Sequence, residues 1–205
     1  MQILSDDELH KIVTRTVQQV LGSAKPSSLV TEAPAVQPPQ PQAAAVEAKA
    51  PKRIVAIGTD HGGVDLKGIL KADLVEQGYE VIDCGTNTKD AVDYPDIALS
   101  VASLVAEGKA WRGVIIDGAG IGSCMSANKV PGVRAAMCYD YASAVNSREH
   151  NDANVLTLGA GLIGVNLAKQ ILKTWLSTEF GGGRHAKRVD KIVAIEKMYM
   201  KEAKS

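Results

Sequence analysis

Gly113-Val-Ile-Ile-Asp-Gly-Ala-Gly-Ile-Gly-Ser123 runs from an apolar segment straight into a glycine-rich turn. The apolar run reads as a buried strand, and Ser126–Lys129 beyond the turn can continue as a helix. Glycines at a strand-to-helix turn let the backbone approach a ligand closely. The helix start then offers unpaired N–H groups and a favourable dipole to an anion. Phosphate, carboxylate or an enolate-like oxygen would suit such a loop. Asp117 adds a carboxylate at its entrance, which simple anion binding does not call for.

Outward from this turn, residues 52–205 read as repeated β-α units. Strands are expected over Arg53–Thr59, Tyr79–Asp83, Gly113–Ile116, Val133–Cys138 and Val155–Leu158. Helices are expected over Val64–Gly78, Asp96–Glu107, Asp140–Glu149, Leu162–Leu176 and His185–Ala203, the first with Leu66, Ile69, Leu70 and Leu74 inward. Short strands alternating with helices predict a five-stranded parallel sheet covered on both faces, a Rossmann-like α/β/α doubly wound fold. With the order 2-1-3-4-5, the switch point falls between the first and third strands, and the loops after Thr59 and Ile116 become neighbours.

Upstream the composition changes twice. Residues 3–21 carry Leu9, Ile12, Val13, Val17, Val20 and Leu21 near helical spacing, and Ser5-Asp-Asp-Glu8 fits a capping box. Residues 22–51 hold six of the eight prolines and no aromatic residue, the composition of a linker. The expected division is therefore 1–21, 22–51 and 52–205.

Charge excludes some partners. Of 205 residues, 23 are Lys or Arg and 23 Asp or Glu, so no global field draws in nucleic acid or an anionic membrane. No apolar run reaches the roughly 20 residues that span a bilayer. The acidic start Met1-Gln-Ile-Leu-Ser-Asp-Asp-Glu8 lacks the pattern of a secretory signal. Three cysteines without C-x-x-C spacing indicate a reduced, cytoplasmic setting, and the dispersed histidines predict no metal site.

Three clusters carry chemistry beside the glycine loop. In Thr59-Asp-His-Gly-Gly63, Asp60 and His61 could hydrogen-bond sugar hydroxyls or move a proton, and Asp60 suits a helix cap equally well. Arg148-Glu-His-Asn-Asp152 sets His150 just before the fifth strand. In Gly181-Gly-Gly-Arg-His-Ala-Lys-Arg188, Arg184 and Arg188 stand at i and i+4 in a first helical turn, where they oppose the dipole. A bound phosphate dianion would remove that conflict; so would salt bridges to nearby carboxylates.

Taken together, Gly58-Thr-Asp-His-Gly62, Asp93-Tyr-Pro95, Gly118-x-Gly-Ile-Gly122, Ala127-Asn-Lys129, His150-Asn-Asp152, Asn154-Val-Leu156 and Gly182-Gly-Arg-His185 with Arg188 resemble the ribose-5-phosphate isomerase type B family. That family includes the galactose-6-phosphate isomerase subunits. The resemblance implies a cofactor-free aldose–ketose isomerase working through an enediolate, as a homodimer or tetramer with sites at a subunit interface. It implies that Asp60, His61 and Tyr94 contact the sugar, and that His150 opens the ring with Asn151 holding the substrate. The backbone of Gly118, Ala119, Gly120, Ile121 and Gly122 would stabilise the enediolate oxygen, and Arg184 and Arg188 would bind phosphate. Three positions depart from the pattern. The family's usual base is a cysteine where Asp117 stands, or a glutamate where Ser123 stands. Ala119 replaces a threonine or serine, and Gly161 an arginine, which widens the range of sugar phosphates to consider. Asp117 is the expected base, provided that it is buried, with Cys124 second. The helix-plus-linker extension resembles the encapsulation peptides that load enzymes into bacterial microcompartments by docking on shell or cargo proteins. The alternatives are a non-catalytic sugar-phosphate-binding or structural cargo protein, and a flavin or nucleotide module, against which the glycine spacing and few aromatics weigh.

Overall fold

The computed structural model describes residues 53–200, together with Asp7, Glu8, Lys11, Thr14, Arg15 and Thr16. Those six are helical and exposed. The apolar stripe expected on residues 3–21, and the linker 22–51, lie outside the described residues. The chain divides into two units, Met1–Glu47 and Ala48–Ser205.

The second unit alternates strand and helix throughout: β1 (Ile54–Thr59), α1 (Val64–Glu76), β2 (Glu80–Asp83), α2 (Tyr94–Ala106), β3 (Arg112–Asp117), α3 (Ile121–Ala127), β4 (Ala135–Met137), α4 (Tyr141–Glu149), β5 (Val155–Gly159), α5 (Val165–Ser177) and α6 (Gly183–Tyr199). All strand pairs are parallel. The layered α/β fold expected from the sequence is the one observed. Among the described residues, no helix is long and apolar enough to cross a membrane.

The strand order differs from expectation: it is β2-β1-β3-β5-β4, not 2-1-3-4-5. Burial gives the reason. Every residue of β5 is buried, which requires neighbours on both sides, whereas the three residues of β4 are half-buried and suit an edge. The β1–β3 junction survives, so the predicted neighbouring loops still meet.

Two cores flank the sheet. One packs Leu66, Leu70 and Leu74 of α1 and Ile171, Leu172 and Trp175 of α5 against Val55, Ile57, Val114, Ile116, Leu156 and Leu158. The other packs Ala98, Val101, Ala102 and Val105 of α2 against Ala56, Ile115 and Val155. Ile69, expected inward, is 37% exposed, and Lys67 is buried instead. Boundaries shift too: α3 begins at Ile121, five residues ahead of expectation, β4 shrinks to its central three residues, and α5 starts at Val165. Glycines at 118, 120 and 122 disguise the α3 start, because they lower the helical signal where the turn needs them.

Candidate active site

Register alone assembles the first half of the site. Thr59 lies beside Ile116 and Asp117 beside Gly159, so three strand ends meet at the carboxyl edge of the sheet. The amide of Asp60 donates to the Ile116 carbonyl at 3.3 Å, locking the two loops together. Asp60 caps the short 3-10 turn His61–Gly63 by accepting from the Gly62 amide at 2.9 Å, as the capping alternative anticipates. His61 is exposed, and its Nδ1 accepts from the Val92 amide at 3.4 Å. Tyr94 reaches the same edge: a Cβ at Gly122 would stand 2.5 Å from its ring, so only glycine lets the ring lie there.

The glycine loop is held from both sides. Gly120 adopts φ +78, a left-handed conformation that glycine tolerates. Tyr139 donates its hydroxyl to the Ala119 carbonyl at 2.5 Å, and Thr157 donates to the Gly120 carbonyl at 2.9 Å. The amides of Ala160 and Gly161 take the carbonyls of Asp117 and Gly118.

Asp117 does not stand guard at the entrance. It is 4% exposed and folded into the loop that follows it. Its Oδ1 accepts from the amides of Ala119 (2.8 Å) and Gly120, and its Oδ2 accepts from Ser123 at 3.0 Å. The carboxylate therefore fills part of the amide nest, and the amides of Gly118, Ile121 and Gly122 are the ones it leaves. Oδ2 accepts no second hydrogen bond among the described residues. The hydroxyl of Ser123 is fully buried and has no partner among the described residues. Burial pushes the Cys124 thiol upward, and the thiol donates to the Ala135 carbonyl at 3.5 Å, so this cysteine packs.

The second half lies elsewhere. His150 caps the C-terminus of α4, and Asn151 and Asp152 lead to the start of β5. The rings of His150 and His185 stack at 4.1 Å, 8° from parallel. Nδ1 of His150 lies 2.8 Å from the Asn146 carboxamide nitrogen, which orients the ring. The segment before α6 is tied to α4 by the Gly181 amide donating to the Glu149 carbonyl at 2.9 Å. Gly182 and Gly183, at φ +58 and +52, then turn the chain into α6, where Arg184 and Arg188 are exposed. Among the described residues neither arginine makes an ion pair, so salt bridges do not relieve their conflict with the helix dipole.

The two halves occupy opposite edges of one sheet. Asp117 pairs with the last residue of β5, whereas His150 and Asn151 precede its first. Four residue steps of parallel strand separate these edges by about 13 Å. Within one chain, the sequence-predicted residues thus form two clusters: Asp60, His61, Tyr94 and residues 117–122 in one, and His150, Asn151, Arg184 and Arg188 in the other. A groove of about 680 Å³ lined by Val133, Asn151, Ile195 and Tyr199 adjoins the second cluster and excludes Asp117. Among the described residues, no group of three His, Cys, Asp or Glu could hold a metal ion.

Sequence reasoning missed the supports. Arg148, 5% exposed, donates to Asp152 Oδ1 (2.8 Å) and to the carbonyls of Ala153 (2.6 Å) and Thr178 (3.3 Å). It thereby fixes the turn behind His150. Asp152 at φ +47 is the one described non-glycine with positive φ, and Arg134 holds it from the other side at 2.8 Å. Lys67 was missed because nothing in a helical pattern marks a lysine as buried.

Known proteins share this architecture. A family model described as Ribose/Galactose Isomerase matches residues 55–192. Ribose-5-phosphate isomerase B of Escherichia coli is 47% identical over 142 residues, covering 69% of this chain and 95% of that protein. D-erythrulose-4-phosphate isomerase of Pectobacterium atrosepticum is 44% identical over 139 residues, 67% of this chain and 91% of that protein. The structure of Clostridium thermocellum ribose-5-phosphate isomerase B superimposes with a TM-score of 0.71 at 52% identity, covering 72% of this chain and 99% of that one. With the fold and the sequence in agreement, this chain belongs to the Ribose/Galactose Isomerase family.

Proposed function

We propose that this protein is an aldose–ketose isomerase of a sugar phosphate, ribose 5-phosphate and ribulose 5-phosphate being the expected pair, and that it works as a dimer or a pair of dimers. The observation that carries this reading is the chemistry of its two clusters. A buried carboxylate inside an amide-lined turn can move a proton, and two exposed, ion-pair-free arginines beside a stacked histidine can take a phosphate. Neither cluster suffices alone. A second copy supplying His150, Asn151, Arg184 and Arg188 to the Asp117 edge completes the site.

The steps follow from the groups. His150 passes a proton to the ring oxygen as the anomeric hydroxyl loses one, giving the open aldehyde. The free lone pair of Asp117 Oδ2 takes the C2 proton, and the electron pair left behind forms the enediolate. The amides of Gly118, Ile121 and Gly122 face the negative oxygen, and Asp60, His61 and Tyr94 hold the hydroxyls. A proton passes from O2 to O1 across the enediolate, and Asp117 delivers its proton to C1, yielding the ketose. No cofactor enters this balance.

The test is turnover of four-, five- and six-carbon aldose phosphates, with ketose phosphate formed from at least one of them as the expected result. Four-carbon substrates belong in the panel because one relative is named for erythrulose 4-phosphate. A second reading, a non-catalytic sugar-phosphate binder, is favoured by one observation: three loop amides already occupy the Asp117 carboxylate. Binding without turnover on the whole panel would decide for it. The region 1–21, with its capping box and apolar stripe, is proposed to dock on shell or cargo proteins and to place the enzyme in the lumen of a bacterial microcompartment.

A further inference from the structure

The segment between β2 and α2 walls the Asp60–His61 edge, and it is rooted on a buried ammonium. Lys67 of α1 is 2% exposed. Its Nζ donates to Asp83 Oδ1 at 2.7 Å, to Asn87 Oδ1 at 2.8 Å and to the Gly85 carbonyl at 3.5 Å. Three acceptors use all three protons of the ammonium. They come from the strand end, the turn and the departing loop, so this cation, with Lys71 on Asp83 Oδ2 at 2.9 Å, ties down Asp83 and the four residues after it.

Burying a charge is costly even when it is paired, and an apolar residue at 67 would extend the Leu66–Leu70 face at less expense. Stability alone therefore does not explain a lysine here; the course of the loop does. A Cβ at Gly85 would meet the Thr59 amide nitrogen at 2.2 Å, and the Thr86 amide donates to the Thr59 carbonyl at 3.2 Å, so the segment lies flat on the end of β1. From there it returns past His61, where the Val92 amide donates to Nδ1, and it ends at Tyr94, against Gly122.

An amide donor at Nδ1 requires that nitrogen to be unprotonated, so the neutral ring carries its proton on Nε2. We propose that Lys67 is a positioning residue: by pinning Asp83, Gly85 and Asn87 it delivers the Val92 amide to His61 and so selects the tautomer that donates from Nε2 to a substrate oxygen. The substrate part of this claim rests on the sugar-phosphate reading above; the tautomer part stands independently of it.

The test uses the full chain with Lys67→Met and Asn87→Ala, the second at an exposed residue that leaves the Lys67–Asp83 pair intact. Nitrogen NMR of the His61 ring should show the wild type fixed as the Nε2–H form and both variants shifted toward a mixture, Lys67→Met further. For Lys67→Met, kcat/KM should fall about tenfold, mainly through KM. The affinity for inorganic phosphate should be unchanged, because Arg184 and Arg188 hold it and Lys67 contacts neither. Wild-type His61 shifts in a folded Lys67→Met would overturn the proposal. Should that variant not fold, unchanged shifts in Asn87→Ala overturn it alone. If the wild type turns over no sugar phosphate, the isomerase reading fails while the nitrogen shifts still decide the role of Lys67.

Discussion

Asp117 holds the glycine loop together, and the proposed mechanism gives the same carboxylate the proton transfer. Its oxygens accept from three amides that glycine flexibility would otherwise leave wandering. Asp117→Asn substitutes a donor where the loop presents only donors. Turnover should drop about 10²–10⁴-fold, the range for loss of a general base, while inorganic phosphate binding stays measurable by calorimetry. Full activity of that variant would remove Asp117 from the mechanism. Ser123 offers the opposite case. Its buried hydroxyl has no partner, so Ser123→Ala should be neutral or raise stability by about 1 kcal/mol in urea unfolding. A marked loss would reveal a bond that the fold does not show.

At the scale of elements, the amino edge of the sheet is held by cations on helix carbonyls. Arg112 is 2% exposed between the rings of Trp111 and Trp175, and it donates to the carbonyls of Trp175 (2.7 Å), Leu176 (2.9 Å) and Thr178 (3.3 Å) at the end of α5. Burial, with Arg148 nearby, lowers its guanidinium to about 10, still charged at neutral pH. Arg112→Met should cost about 3 kcal/mol of stability, because it strands buried acceptors. The His150–His185 stack gives this edge a pH response. Burial first, then the positive neighbours His150, Arg184 and Arg188, hold His185 below the usual histidine range. The unfolded chain then binds the proton first, so stability is full above about pH 6.5 and declines as pH falls from there toward the folded value. Melting temperatures should fall as pH is lowered below about 6.5, and His185→Phe should flatten that decline. An unchanged slope would show that the stack carries no linkage.

For the molecule as a whole, the proposed dimer brings clusters on opposite edges into one site. Asp117→Asn and His150→Asn chains, each inactive, should regain about one quarter of wild-type activity when refolded together, since half of a random twofold mixture keeps one intact site in two. No recovery would place both clusters in one chain's site. Deleting residues 1–50 should leave the melting temperature and kcat of the isomerase unit unchanged but disperse the protein from puncta; puncta that persist would end the targeting proposal.

The sequence by itself determined the layered α/β fold and the meeting of the Thr59 and Ile116 loops, because strand and helix periodicity and glycine placement are local signals. It also marked out His150, Arg184 and Arg188, whose residue types sit oddly for a purely structural role. Tertiary structure alone decided that β5 lies inside β4, that Lys67 and Arg148 are buried supports, and that Asp117 turns inward. Those outcomes depend on which face finds a neighbour and which donor finds an acceptor, and such pairings join residues far apart along the chain. The separation of the two clusters has the same origin: Asp117 pairs with the last residue of β5 and His150 precedes its first, a distance that only the sheet register fixes.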